Sequence, residues 1–362
     1  MTFLLSNVKN DEPLLEAHVW ENIAVVICAV LFAYFIIYFK KHTFWGPRLK
    51  QGFRSISSKC GLFMALFFIF IAFLDSFSWK DDYPKDAQVE PAAREPRSLF
   101  DRAFSKIVGV PEFEFNEQTS SAPFGKTEFT DATKELKHTH IFGTDAGGGD
   151  TFYLVMKGVR TAVFIGTIPL LITLPIAILL GVTAGYFGGK LDDIVVYIYT
   201  TIASIPSLLL LLAIVTTLER TLTNVCIALG VTSWIGLCRL IRGETMKLRE
   251  LEYIQAAKCL GVPTWKIVQK HILPNLTHII LIVCILTFTA LVLMESILAY
   301  LGVGLKSSWG KMIANAKSEI AQDPVIWWNL VFSSLFLFLL VLSVNIVGDA
   351  IRNAIDPKAA QE

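Results

Sequence analysis

Glu295 is a carboxylate inside an otherwise apolar run, Leu276–Leu301, near the outer end of a candidate span. An ionisable group in such a place is a candidate for function. It reads either as a substrate contact or as a structural hydrogen-bonding group. A second cluster lies in Ile194–Leu218, where the string YTTIASIPS sets Thr200, Thr201, Ser204 and Ser207 around Pro206. Proline within an apolar helix frees a backbone carbonyl, and such breaks are tolerated where they face protein or a water-filled cavity. These hydroxyls therefore either line a translocation pathway or bond their own backbone at an ordinary kink. His138-x-His140 has a spacing that could suit a metal, but no further ligand cluster lies nearby, and a solvated loop is the expected reading. The six cysteines show no CxxC spacing and read as small apolar fillers. No catalytic constellation, metal or cofactor is expected.

The elements that must position these residues are membrane spans. Of 362 residues, 54% are hydrophobic and 17% charged, and the mean hydropathy is +0.55. The apolar residues gather into seven runs: Ile23–Phe39, Gly61–Phe77, Ala162–Phe187, Ile194–Leu218, Leu222–Cys238, Leu276–Leu301 and Trp327–Val347. Each has the length of a bilayer-crossing helix, roughly 17–25 residues. Hydrocarbon forces the backbone to satisfy itself, so the runs are helices, and the pattern is unlike the short alternating segments of a β-barrel. The fold class expected is an all-α polytopic membrane protein with about seven transmembrane helices. With the amino terminus outside, the short inner loops carry sixteen Lys and Arg and the short outer segments five. The positive-inside rule thus places the amino terminus outside and the carboxyl terminus in the cytoplasm, against the votes of Lys157, Arg160, Lys306, Lys311 and Lys317.

The expected organisation is an extracytoplasmic tail (1–22), a first helix (23–39), a basic cytoplasmic segment (40–60) and a second helix (61–77). An extracytoplasmic polar segment (78–150), a membrane core (151–348) and a cytoplasmic tail (349–362) follow. The first helix is not a signal peptide, because an acidic leader precedes it. Within 78–150, PRSLFDRAFSKIVGV has apolar residues at helical spacing.

Between two of the most apolar runs lies YIQAAKCLGVPTWKIVQKHILPN, residues 253–275 of a cytoplasmic loop, 249–275. Leu251, Ile254, Ala257 and Cys259-Leu260 form a partly apolar stripe. Gly261 stands where a left-handed cap would stop the first helix, and Pro263 fits the first turn of a second. Trp265, Val268 and Ile272 are expected to share a face of that second helix, which Leu273-Pro274 should end. Such a hairpin either lies on lipid headgroups or, through its small residues Ala256, Ala257 and Gly261, admits a close-fitting protein surface.

The order of residues here resembles the EAA loop of ABC importer permeases, E-A-A-x3-G-x9-I-x-L-P. It is matched at Ala256, Ala257, Gly261, Ile272, Leu273 and Pro274, with Gln255 at the glutamate position and His271 at the first isoleucine position. HIFGTDAGGGD is similar to the H-P-L-G-T-D-x-x-G-R-D motif of the peptide-transport branch, at His140, Gly143, Thr144, Asp145, Gly148 and Asp150, with Gly149 replacing the arginine. KGVRTAVFIG, ESILAYLGVGL and NIVGDAIRNAIDPK resemble further family segments. The resemblance covers about residues 138–358 and 48–77. It implies a six-span type I importer core, to which Ile23–Phe39 adds a helix.

The resemblance also implies partners: a second homologous permease subunit, one or two ABC ATPase subunits, an extracytoplasmic substrate-binding protein and a peptide substrate, in a bacterial inner membrane. Nickel chelates and peptide antibiotics use permeases with the same motifs. Gln255, Ala256, Ala257, Gly261, Trp265, His271, Leu273 and Pro274 would couple to the ATPase, and the 143–150 motif would form an outer turn or contact the binding protein. AGYFGGKL lacks the residues of a nucleotide-binding P-loop, so ATP hydrolysis is expected in trans. No nucleic-acid partner is expected. An ion-coupled carrier would bury several ionisable residues in mid-span, and a membrane scaffold would have no use for the hairpin.

Overall fold

The computed structural model describes residues 52–79, 97–108, 120–129, 133–136, 138–305, 307–323 and 325–355. The expected first span, Ile23–Phe39, lies outside the described residues, as do the tails 1–22 and 356–362. Among the described residues the chain is all-α apart from an antiparallel ribbon of two residues per strand and isolated bridges, and five of its long helices are apolar enough to cross a membrane.

Helix α1, Ile56–Ser76, begins where the Ser55 hydroxyl accepts the Ser58 amide at 3.1 Å. The ribbon β1 (Ser78–Trp79) and β2 (Arg97–Ser98) follows, then α2, Leu99–Val108, within the string expected to be helical. Helix α3, Thr151–Phe187, runs for 37 residues and contains Pro169 and Pro175 without ending. At 1.5 Å per residue it is about 55 Å long, longer than the hydrocarbon layer of about 30 Å. Gly188, with φ +66°, stops it.

The run Ile194–Leu218 is not one straight span. It is α4, Gly189–Ala203, and α5, Ser207–Thr217, bent by 78° across Ser204–Pro206. Pro206 has no amide hydrogen and pushes Ile205 out of the helical region. Neither piece alone is long enough to cross the bilayer.

Helix α6, Leu222–Arg249, continues eleven residues beyond its apolar run. The hairpin follows as α7, Glu252–Cys259, and α8, Thr264–Ile267. Pro274 does not end the second hairpin helix as expected. A π turn over Val268–Ile272 comes first, with the Leu273 amide donating to Val268 O, and α9, Leu273–Tyr300, carries Pro274 in its first turn. The wider turn removes the clash that a proline ring makes with the carbonyl four residues back in a regular α-helix. Helices α10, Trp309–Ile320, and α11, Trp328–Ile355, are the last of the described elements.

The helices approach closely at glycines. A Cβ on Gly181 or Gly185 of α3 would stand 2.9 Å from Cys238 O or 2.6 Å from Arg242 O of α6. Without a hydrophobic drive between spans, such backbone-to-backbone packing is what holds them. Gly61 admits Ile346 of α11, and Gly158 admits the Trp309 ring, whose Nε1 donates to Val155 O at 2.7 Å. One apolar cluster joins Trp234, Ile241, Ile254, Ile267, Ile272 and Leu276 at the hairpin end of the bundle. At the opposite end, Phe68, Val159, Trp309 and Leu340 belong to another.

Candidate coupling and translocation sites

Helix α7 ends in a complete glycine cap. The Gly261 amide donates to Lys258 O at 3.0 Å and the Val262 amide to Ala257 O at 3.1 Å, while Gly261 takes φ +75°. Pro263 then caps α8. Ile254, Ile267 and Ile272 are fully buried and fix the hairpin against the spans. Ala257 and Leu273 pack against the same cluster. On the other side Tyr253, Ala256 and Leu260 follow one another at helical spacing and are exposed, with Gly261 and Trp265 beyond them. Leu260 is 83% exposed and Trp265 67%, both large for residues of this kind.

The expectation that Trp265 shares a face with Val268 and Ile272 is not met: Val268 and Ile272 belong to the inward side, whereas Trp265 is exposed. The π turn adds a residue per turn, so Ile267 and Ile272 become the inward pair and Trp265 points away. Gln255 turns inward: its Nε2 donates to Arg249 O at 2.9 Å, a bond that a carboxylate cannot make. His271 lies with its ring 5.9 Å from that of Tyr253, whose hydroxyl accepts Asn275 Nδ2 at 3.1 Å. Pro274 is exposed.

At the α4–α5 bend the hydroxyls divide. Thr200 donates to Val196 O at 2.6 Å, Thr201 to Tyr197 O at 2.8 Å and Ser204 to Thr201 O at 2.7 Å. All three donate to carbonyls of their own helix and are exposed. Ser207, beyond Pro206, instead lines a cavity of about 370 Å³ with Ser233 of α6 and Thr287 of α9. Leu211, Leu229 and Met294 supply apolar wall, and no charged side chain lines it.

Glu295 is buried and does not reach that cavity. It lies beneath the first turn of α10, where a Cβ on Gly310 would come 3.0 Å from its Oε2, and beside Ser308. A helix amino terminus is a favourable neighbour for a carboxylate.

The 143–150 motif is a folded turn. Gly143 (φ +73°) and Gly148 (φ +79°) occupy left-handed positions, and a side chain on Gly143 would strike Ser121 O. The Thr144 hydroxyl accepts the Ser121 amide at 2.6 Å, and Thr144 O accepts Trp328 Nε1 at 2.7 Å. Asp145 Oδ1 accepts the amides of Gly147 and Gly149 at 2.9 and 2.8 Å. Asp150 caps α3 through the Tyr153 amide and meets His140 Nδ1 at 2.6 Å. His140 is thus committed to Asp150, and no group that could hold a metal occurs among the described residues.

Two buried polar clusters escaped sequence reasoning. Lys157 of α3 bonds Asp75 of α1 at 2.6 Å and Asp101 of α2 at 2.8 Å, with Ser98 and Tyr153 completing the network. Burial pushes Asp101 upward, but Lys157 and the bonds from Ser98 and Tyr153 outweigh it and hold its carboxyl below the usual range. Glu319 of α10 accepts Asn329 Nδ2 at 2.9 Å and the Ala146 amide at 3.3 Å. Burial raises its carboxyl and that of neighbouring Asp145 above their usual values. The signal for the first cluster was a carboxylate near the end of one apolar run, Asp75, and a lysine just ahead of the next, Lys157. The second gave none, because Glu319 lies outside the apolar runs, where a carboxylate reads as an ordinary solvated side chain.

Residues 177–361 match the family described as binding-protein-dependent transport system inner membrane component. The chain is 34% identical over 222 residues to the dipeptide transport system permease protein DppC of Bacillus subtilis (strain 168), covering 60% of this chain and 69% of that one. It is 33% identical over 247 residues to the oligopeptide transport system permease protein OppC of the same organism, covering 67% of this chain and 80% of that one. A chain of the MetNI methionine ABC transporter, solved in inward-facing conformations, aligns over 57% of this chain and 98% of its own, with 21% identity and a TM-score of 0.47.

Proposed function

Because this chain belongs to the family of inner membrane components of binding-protein-dependent transport systems, we propose that it is the permease subunit of an ATP-driven peptide importer. In this reading it forms half of the translocation pathway beside a second permease and takes its cargo from an extracytoplasmic binding protein. It is not itself an enzyme; ATP is hydrolysed by partner subunits. Relatives named for dipeptide and oligopeptide transport support the peptide class.

The observation that carries the coupling role is the outer face of the hairpin. Ile254, Ile267 and Ile272 bury the inner face completely, while Leu260 and Trp265 stand exposed on the outer one. Large apolar side chains left in the open on a rigid mount mark an interaction surface, and tryptophan is enriched among residues that dominate protein interfaces. The small residues Ala256 and Gly261 beside them permit a close approach. We assign this face to an ATPase subunit and the end bearing the 143–150 turn to the extracytoplasmic side. The cavity at Ser207, Ser233 and Thr287 supports a pathway at the α4–α5 bend, since hydroxyls facing open space within a span favour a water-filled route.

Affinity purification of the tagged chain in mild detergent tests the assembly. A second permease and an ATPase should accompany it, and proteoliposomes of the complex should accumulate labelled di- or tripeptides when ATP and the binding protein are supplied. ATP hydrolysis by the isolated chain, or the absence of any ATPase from the complex, would sink the reading.

A further inference from the structure

At the hairpin end, α3 turns into α4 through two successive glycines in left-handed conformation, Gly188 at φ +66° and Gly189 at φ +56°. A Cβ on Gly189 would meet nothing within 4 Å and one on Gly188 only Arg249 Nη1 at 3.1 Å, so this turn is lightly packed. Such a joint is loose, because glycine moves freely between backbone basins. Helices α3 and α6, by contrast, touch backbone to backbone at Gly181 and Gly185 and behave as one body.

The hairpin is tied to that body. Arg249 Nη1 donates to Gly185 O at 3.2 Å and Tyr186 O at 3.3 Å, covering the carbonyl end of α3. Gln255 holds α7 to Arg249 O, and Lys258 Nζ lies 5.3 Å from the centre of the Tyr186 ring. Helix α4 buries Val195 and Tyr199 in the apolar cluster of the same body, a non-directional contact, and is oriented on it by an ion pair. Both oxygens of Asp192, in its first turn, engage the fork of Arg242 on α6, one through Nε and the other through Nη2 at 2.6 Å. Bidentate pairing fixes orientation as well as distance. Further along, Arg239 lies over the Tyr199 ring at 4.8 Å, a contact with far less directional demand.

We propose that Asp192–Arg242 is the strut that carries movement of the hairpin to the α4–α5 bend. With the strut in place, the Gly188–Gly189 joint is bypassed and α4 travels with α3, α6 and the hairpin. Without it the joint absorbs the movement, and the bend at Pro206 no longer follows. Asp192 and Arg242 are then positioning residues for transport, touching neither substrate nor ATPase. The proposal rests on the hairpin being the ATPase-docking surface.

The test uses the full chain, purified with the subunits that accompany it, in lipid nanodiscs. Spin labels go on exposed Tyr197→Cys of α4 and Lys266→Cys of the hairpin, in a background without the native cysteines. The parent should give one narrow distance distribution, unchanged when ATP and vanadate are added. Arg242→Gln should broaden and shift it, and the exchanged pair Asp192→Arg with Arg242→Asp should narrow it again. Asp192→Asn cuts the same link should Arg242→Gln express poorly. In proteoliposomes, Arg242→Gln should lower peptide uptake about tenfold, within the range of coupling between sites, while ATP hydrolysis and ATPase binding persist. A distribution as narrow in Arg242→Gln as in the parent overturns the strut. So does a parallel loss of uptake and hydrolysis, which would mark the pair as structural only. If no ATPase accompanies the chain, the assembly reading falls, while the distance measurement still decides the strut.

Discussion

Trp265 and Leu260 can be removed at little cost to the chain, because most of their surface touches nothing in it. Trp265→Ala and Leu260→Ala should therefore leave thermal stability unchanged. In the proposed interface each should weaken ATPase association by about 2 kcal/mol, the scale of an interface hot spot, read by co-purification and by titration of the ATPase. Ala256→Glu, on the open side, should do the same. Ala257→Glu differs, since Ala257 packs on the hairpin core and a carboxylate there should destabilise the subunit itself. Gly261→Asp keeps the turn tolerable, aspartate being among the residues that accept left-handed backbone, yet adds a charge to the open face. Loss of Lys266 and Lys270 should be mild, as exposed charges contribute little. The cap at Gly261 was legible in sequence because glycine and the following proline state their backbone demands locally. The direction of Trp265 was not, since a single π turn ahead of Pro274 rotates everything before it relative to everything after.

The contact between α1, α2 and α3 turns on Lys157, which serves two carboxylates at once. Lys157→Met should leave Asp75 and Asp101 without their cation and lower stability by about 3 kcal/mol, as when one partner of a buried pair is removed. Changing Lys157 together with both aspartates to uncharged residues should cost less, a contrast that thermal unfolding in detergent can show. Acid should act in opposite senses on Asp101 and Glu319. Asp101 is held below its ordinary value of 3.8, so its contribution is present above that pH and is lost as pH falls through the lowered value. Glu319 is raised above 4.5, so its contribution is full below that pH and is lost as pH rises through the raised value. Glu319→Gln should accordingly gain on the parent as pH rises from 4.5 to neutrality, and Asp101→Asn should lose most at neutrality. Among the described residues, five apolar runs were recognisable as continuous helices from length and composition alone. The sixth, Ile194–Leu218, had the right composition, but Pro206 bends it by 78°, and composition does not register direction.

For the molecule as a whole, the charge bias predicts that the hairpin and the 143–150 turn lie on opposite faces of the membrane. The hairpin, with Lys258, Lys266 and Lys270, lies at one end of α3 and the 143–150 turn at the other. Lys157, counted against that orientation, neutralises buried carboxylates and so carries little topological weight. In intact cells, a cysteine at exposed position Lys126 should react with an impermeant reagent and one at Lys266 should not. The reverse pattern would invert the assignment. The polar clusters at the 143–150 end were at most partly legible, because each joins residues from three separate segments and a single sequence does not record which segments meet.

The π turn over Val268–Ile272 amounts to one residue of slack wound into an otherwise continuous rod. Each α-helical residue turns the chain by about 100°, so deleting Gln269 should reel in that slack and swing the hairpin round the axis of α9 like a misaligned key. The spans would remain threaded in the lipid while Leu260 and Trp265 faced the wrong quarter. Abundant, correctly inserted protein that no longer binds its ATPase would be the mark of that misalignment, and retained binding would mean that the rod has another place to untwist.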